Sequence, residues 1–161
     1  MSKRLASDGT QLQYAAEATA GNRPTAGFAE VSDELKSVPE INPTPDLREV
    51  TTFKDAADGA ATYIPGIKKM NGAFAFKFNN TEDFHTSWAA LITAYNTAKA
   101  AGKAMWFAII IPGLTKSVYF KGVPMELGLD AMDVEAVAEI TAYITPEKFD
   151  GWAAKPTVQG Q

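Results

Sequence analysis

Acid, imidazole and hydroxyl crowd together at one place in the chain, Glu82-Asp83-Phe84-His85-Thr86-Ser87. A nucleophile and its base must face each other, and on a helix only residues three or four apart do so. The segment carries helix-start residues, so His85 is set to meet Trp88 and Ala89 rather than Ser87, and it reads as a surface histidine. It is the only histidine in 161 residues, and there is no cysteine. A zinc site would then rest almost wholly on carboxylates, unlike the usual nitrogen and sulfur ligand sets, and no disulfide framework is possible. Gly59, Gly66 and Gly72 are scattered and none opens a capped helix, so no phosphate-cradling loop is in view. The expectation is a chain that is not an enzyme, with no catalytic residue, cofactor or metal.

Charge points the same way. Fifteen Lys and Arg stand against 19 Asp and Glu, a net charge of −4, with a pI near 5.0. A dedicated nucleic-acid binder normally carries a basic excess to neutralise phosphates. The balance shifts along the chain. Residues 67–121 hold 2 acids and 7 bases, whereas residues 122–150 hold 7 acids and 1 base. A basic middle and an acidic C-terminal third are expected to face different surroundings. Met1-Ser2-Lys3-Arg4 is not followed by an apolar stretch, which reads as a chain made and folded in the cytoplasm. The longest uncharged apolar run, Ala104 to Leu114, is far short of the ~20 residues that span a bilayer.

The elements that must position these residues are legible in part. Asn80-Thr81-Glu82-Asp83 offers a cap and first-turn carboxylates, and Phe84, Trp88, Leu91, Ile92 and Tyr95 form one apolar stripe. This predicts a helix over 81–101. Phe74, Phe76 and Phe78 alternate with Ala75 and Lys77 as on a strand with one buried face. Lys103–Ile111 reads as a central strand that pairs, across Pro112–Thr115, with a strand over Lys116–Val123. Gln11–Tyr14 opens a first strand, Thr19–Thr25 is a loop, and Glu34–Ile41 and Asp46–Phe53 read as short strands. From Phe53 to Asn71 no period is sustained, which predicts a long functional or docking loop. Residues 132–145 fit both periods; the β-branched Ile140–Thr145 half favours a strand, ended by Pro146.

The run Pro39-Glu40-Ile41, then Asp46-Leu47-Arg48-Glu49-Val50-Thr51-Thr52-Phe53, Asp58-Gly59 and Tyr63-Ile64-Pro65-Gly66-Ile67-Lys68 resembles the N-terminal half of phage tail tube proteins of the long non-contractile type, the major tail proteins. The order of strands and helix continues the likeness over about residues 9–145, with Phe120-Lys121-Gly122-Val123 inside the second strand of the pair. The resemblance implies a mainly β (α+β) fold, a β-sandwich or partial barrel with one flanking helix, assembling into hexameric rings that stack into a tube. It implies a single domain over 1–161: an N-terminal arm (1–8), an inter-ring loop (53–71), the helix (81–101) and a C-terminal tail (146–161). It also implies a virion structural protein whose partners are itself, the tape-measure protein, and tail-tip and tail-terminator proteins. DNA would pass through without specific binding.

In that setting Phe53, Tyr63 and Ile64 would anchor the inter-ring contact, with Lys54, Asp55, Asp58, Lys68 and Lys69 around them. A wall that must let DNA slide should not gather its phosphates, which suits an acidic lining. The candidates are Asp133, Glu135 and Glu139 on one face of the proposed last strand, with Glu126 and Asp130 before it. Two alternatives stay open. One is the inner tube of a contractile tail, a tailocin or a gene transfer agent; the other is a monomeric β-sandwich module with Trp152 or Trp106 as a stacking platform.

Overall fold

Phe74, Phe76 and Phe78 are buried while the residues between them are less covered, the signature of a strand with one face in a core. The computed structural model describes residues 8–70 and 72–156, with the backbone alone at 67 and 68. Its elements are β1 (Gln11–Ala16), β2 (Ala29–Glu30), β3 (Leu35–Ser37), β4 (Thr44–Glu49), α1 (Phe53–Ala57), β5 (Tyr63–Lys69), β6 (Phe74–Asn79), α2 (Glu82–Ala100), β7 (Met105–Ile110), β8 (Lys116–Pro124) and β9 (Glu139–Ala154). They fall into two compact units, Glu40–Gly72 and the remainder.

The larger unit is a seven-stranded sheet in the order β2-β1-β7-β8-β9-β6-β3, and its pairings are antiparallel. One groove is lined by Thr10, Ile109 and Ile111 together with Leu35–Val38. That brings β3, the last strand of the order, close to β7, so the sheet curls into a partial barrel. The inner face holds Leu12, Phe107, Phe120, Ile140 and Ile144, all buried, beside the three rings of β6. Helix α2 covers this face. Thr81 caps it by accepting from the Phe84 N–H at 3.2 Å, and Phe84 stacks on Phe78 with centroids 4.5 Å apart. Trp88 is also buried and donates its Nε1–H to the carbonyl of Met125 at 3.0 Å.

The second face is covered near β7 and β8 by the segment between β1 and β2. Phe28 meets Tyr119 edge-on at 5.8 Å over a small cluster with Trp106 and Ala108. Arg23 lies 4.4 Å above the Tyr119 ring and pairs with Asp150 at 2.6 Å. This explains why β7 is buried on both faces and reads as a continuous apolar run.

Strand β9 corrects the sequence expectation at both ends. Residues 132–138 are not strand, and the strand does not stop at Pro146 but runs to Ala154. Its pairing with β6 ends at Ile144, and beyond that point β8 alone pairs with it among the described residues. Pro146 therefore sits where the ladder is one-sided and bulged, which is where a strand accepts proline. Opposite it, Gly122 has no room for a side chain: a Cβ would lie 2.9 Å from Ile144 Cγ2 and 2.9 Å from the Thr145 carbonyl oxygen. Gly122→Ala is expected to lower stability by about 1–3 kcal/mol, because backbone cannot step aside as a flexible side chain can. Urea denaturation checks this, and a change within ~0.5 kcal/mol would show that the strands part without strain.

The smaller unit, Glu40–Gly72, is the antiparallel pair β4–β5 with α1 between the strands. It replaces the expected unperiodic loop over 53–71 with a five-residue helix and a seven-residue strand; Asn71 lies outside the described residues. The expected strand Asp46–Phe53 begins earlier, at Thr44, and Phe53 belongs to α1. The expected strand Glu34–Ile41 shrinks to Leu35–Ser37. Pro45 and Pro65 are tolerated because each strand of a two-stranded ladder keeps an open side.

Candidate assembly surfaces

Among the described residues twelve large hydrophobic side chains are exposed, and ten of them lie in two segments. Leu47, Val50, Phe53, Tyr63 and Ile64 belong to the smaller unit; Met125, Leu129, Met132, Val134 and Val137 belong to the connection between β8 and β9. Scattered apolar exposure is ordinary, whereas here it is concentrated in two segments.

In the smaller unit the turn between strands is built by reciprocal capping. Thr52 Oγ1 accepts from Asp55 N–H at 3.2 Å, while the Asp55 carboxylate accepts from Thr52 N–H at 3.1 Å and Thr62 Oγ1–H at 3.0 Å. The bond from the Thr52 backbone, then those from the two threonine hydroxyls, holds the Asp55 carboxyl below its ordinary range. Asp55 is thus spent inside the turn, and Phe53, at the first helical position, is 99% exposed. Lys54, Asp58, Tyr63, Ile64 and Lys69 are exposed as well, Lys69 pairing with Asp46 at 3.1 Å. The side chain of Lys68 lies outside the described residues.

The β8–β9 connection is held at several points. Met125 donates its N–H to the Tyr143 carbonyl at 3.0 Å, Asp130 accepts from Thr141 Oγ1–H at 2.7 Å, and Asn80 N–H reaches the Ala138 carbonyl at 3.0 Å. Between these anchors Val134 is wholly exposed and Leu129 is 73% exposed. The expected common face of Asp133, Glu135 and Glu139 is not formed, because Asp133 and Glu135 fall in a turn region before β9 begins. Asp130 is engaged by Thr141, Glu126 is exposed outside any strand, and Glu139 opens β9 and pairs with Lys36. The hydrogen bond and charge of Lys36 hold the Glu139 carboxyl below its ordinary range.

Two tryptophans separate. Trp152 is 54% exposed on the one-sided stretch of β9, whereas Trp106 is 3% exposed and cannot serve as a stacking platform. Its Nε1–H donates to Glu17 at 3.0 Å, and the other Glu17 oxygen accepts from Ala104 N–H at 2.8 Å. Burial alone would push the Glu17 carboxyl up; the bonds from Trp106 and the Ala104 and Gly21 backbones, with Lys121 nearby, outweigh it and hold the group below its ordinary range. Nothing local in the sequence marks Glu17, since its Trp106 partner lies 89 positions away. His85 is exposed, as expected, with Nε2 2.6 Å from Asn80 Oδ1. Among the described residues no three His, Asp or Glu side chains gather to hold a metal ion, and no helix is long and apolar enough to cross a membrane.

A curled, mainly β sheet with one long helix across its inner face defines the class of fold. The particular likeness is to a chain in the cryo-EM structure of the anti-feeding prophage (AFP) baseplate, 6-fold symmetrised: the TM-score is 0.59 at 8% sequence identity, covering 96% of this chain and 98% of that one. No family model and no curated protein matches the chain. At this identity what the two chains share is the fold.

Proposed function

We propose that this chain is a structural protein of a phage-tail-type machine, acting through association with copies of itself and with neighbouring tail proteins rather than through catalysis. The likeness of fold to a chain of a six-fold baseplate, over nearly the full length of both, carries the reading. The concentrated apolar exposure and the one-sided stretch of β9 support it, since an unpaired edge is a liability that a lone domain would suppress.

In finer terms, the subunit forms six-membered rings that stack into a conduit for DNA, with tape-measure, tail-tip and terminator proteins as partners in the virion. The baseplate likeness supports a contractile tail, a tailocin or a gene transfer agent as well as a long non-contractile tail. Phe53 and its neighbours in the smaller unit are the proposed inter-ring element. An acidic wall along the DNA path, at Glu126, Asp130, Asp133, Glu135 and Glu139, is a second reading of these carboxylates, favoured by the absence of Lys and Arg from residues 122–138.

Negative-stain electron microscopy and sedimentation velocity over a concentration series test the reading. Rings or tubes are expected. Monomers under every condition, including in the presence of a tail-tip initiator, would sink it.

A further inference from the structure

We propose that the exposed β8–β9 connection of one copy docks on the β4–β5 unit of a second copy, head to tail. This rests on the self-assembly reading above and names the two surfaces that meet. The connection presents Leu129, Met132, Val134 and Val137, and the smaller unit presents Leu47, Phe53, Tyr63 and Ile64; together with Val50 and Met125 they account for ten of the twelve exposed large hydrophobics.

Charge disfavours the symmetric contact between two connections. Residues 122–138 contain Glu126, Asp130, Asp133 and Glu135 and no lysine or arginine. Asp133 and Glu135 have no ion-pair partner among the described residues. The smaller unit is close to balanced, with five acids and four bases over residues 40–72, and Asp46 is paired with Lys69. Arg48 and Lys54 are exposed there and have no ion pair to a described residue. Two connections brought together would set carboxylates against carboxylates, so a symmetric contact through this surface is disfavoured while connection against hairpin is favoured. A contact between two different surfaces leaves the pair with one connection and one hairpin still open, so it propagates into a closed ring or a continuing stack. The anchors at Met125, Asp130 and Ala138 hold the connection before docking, which limits the ordering cost of association.

The test uses full-length protein in three forms: wild type, Leu129→Asp with Val134→Asp, and Phe53→Asp with Ile64→Asp. The four side chains are exposed, so thermal melts of the two variants are expected to resemble wild type. By sedimentation velocity each variant alone should stop at one discrete species, with the concentration needed for larger assemblies raised on the order of tenfold or more. Mixed one to one, the variants retain a single intact connection–hairpin contact and should give a species of twice that mass. A variant that assembles at the wild-type concentration, or a mixture with no new species, overturns the contact and leaves the self-assembly reading standing. Wild type that never associates overturns both. Asp133→Lys with Glu135→Lys should weaken assembly, with recovery when Arg48→Glu and Lys54→Glu are added. Assembly unaffected by the first pair would overturn the contact in favour of carboxylates that face the DNA path.

Discussion

Phe120→Ala is expected to lower the stability of the larger unit by about 3–5 kcal/mol, the range for deleting a fully buried aromatic ring. The ring is 0% exposed and lies where three strands converge: 5.3 Å from Phe107 on β7, 5.1 Å from Phe74 and 6.5 Å from Phe76 on β6. Strand β9 stands between β8 and β6, so these rings meet across it, and Phe76 pairs in register with the small side chain of Ala142. Removing the ring leaves three aromatic neighbours with a void that strands tied by ladders on both sides cannot close. Urea denaturation with intrinsic fluorescence measures the loss, and Phe120→Leu should cost less because it keeps part of the volume. A loss under about 1 kcal/mol for Phe120→Ala would mean that the aromatic cluster is not the centre of the core.

What the sequence made legible follows what is buried. Helix α2 was readable because its cap, first-turn acids and apolar stripe agree, and the structure uses Thr81 as the cap and Phe84, Trp88 and Leu91 as the buried stripe. Strands β6, β7 and β8 were readable because a covered face imposes alternation or a continuous apolar run. The smaller unit hid its strand because no residue of α1 is buried and Tyr63, Ile64 and Pro65 are exposed in succession, so no face imposed a period on the sequence. The connection before β9 misled for the opposite reason. Val134, Ala136 and Ala138, set against Asp133, Glu135 and Glu139, follow the alternation of a half-buried strand that only Val137 interrupts, yet the first two are exposed. Apolar alternation reports that a surface will be covered without saying whether the cover comes from the same chain. The acidic face inferred from that alternation was lost with it, whereas the exposure of Phe53, Tyr63 and Ile64 left their expected role as contact residues open to experiment.

The second large effect is expected at Glu17, whose carboxylate ties the start of the β1–β2 segment to the sheet. Glu17 is 4% exposed and accepts from Trp106 Nε1–H and Ala104 N–H, while its own N–H donates to the Ala104 carbonyl at 3.0 Å. Glu17→Ala keeps the backbone bond but orphans the Trp106 and Ala104 donors and gives up the Gly21 bond, and a buried donor left unsatisfied costs about 1–3 kcal/mol, so a loss of roughly 2–4 kcal/mol is expected. Glu17→Gln should cost less, since an amide oxygen can still accept one of the two bonds. Adding Trp106→Phe to Glu17→Ala should recover part of the loss, because it removes one of the orphaned donors. The pH dependence has a definite sign. In the unfolded chain Glu17 takes up its proton near the ordinary value of 4.5, and in the folded chain only below it. The charge-dependent part of its stabilisation is therefore complete at neutral pH, fades as pH falls through the ordinary glutamate range, and is gone below the lowered folded value. Wild type should exceed Glu17→Gln in urea midpoint at pH 7, and the gap should narrow in acid. A gap that stays constant from pH 7 down to about 3 would show that Glu17 holds the segment through shape alone and not through its charge.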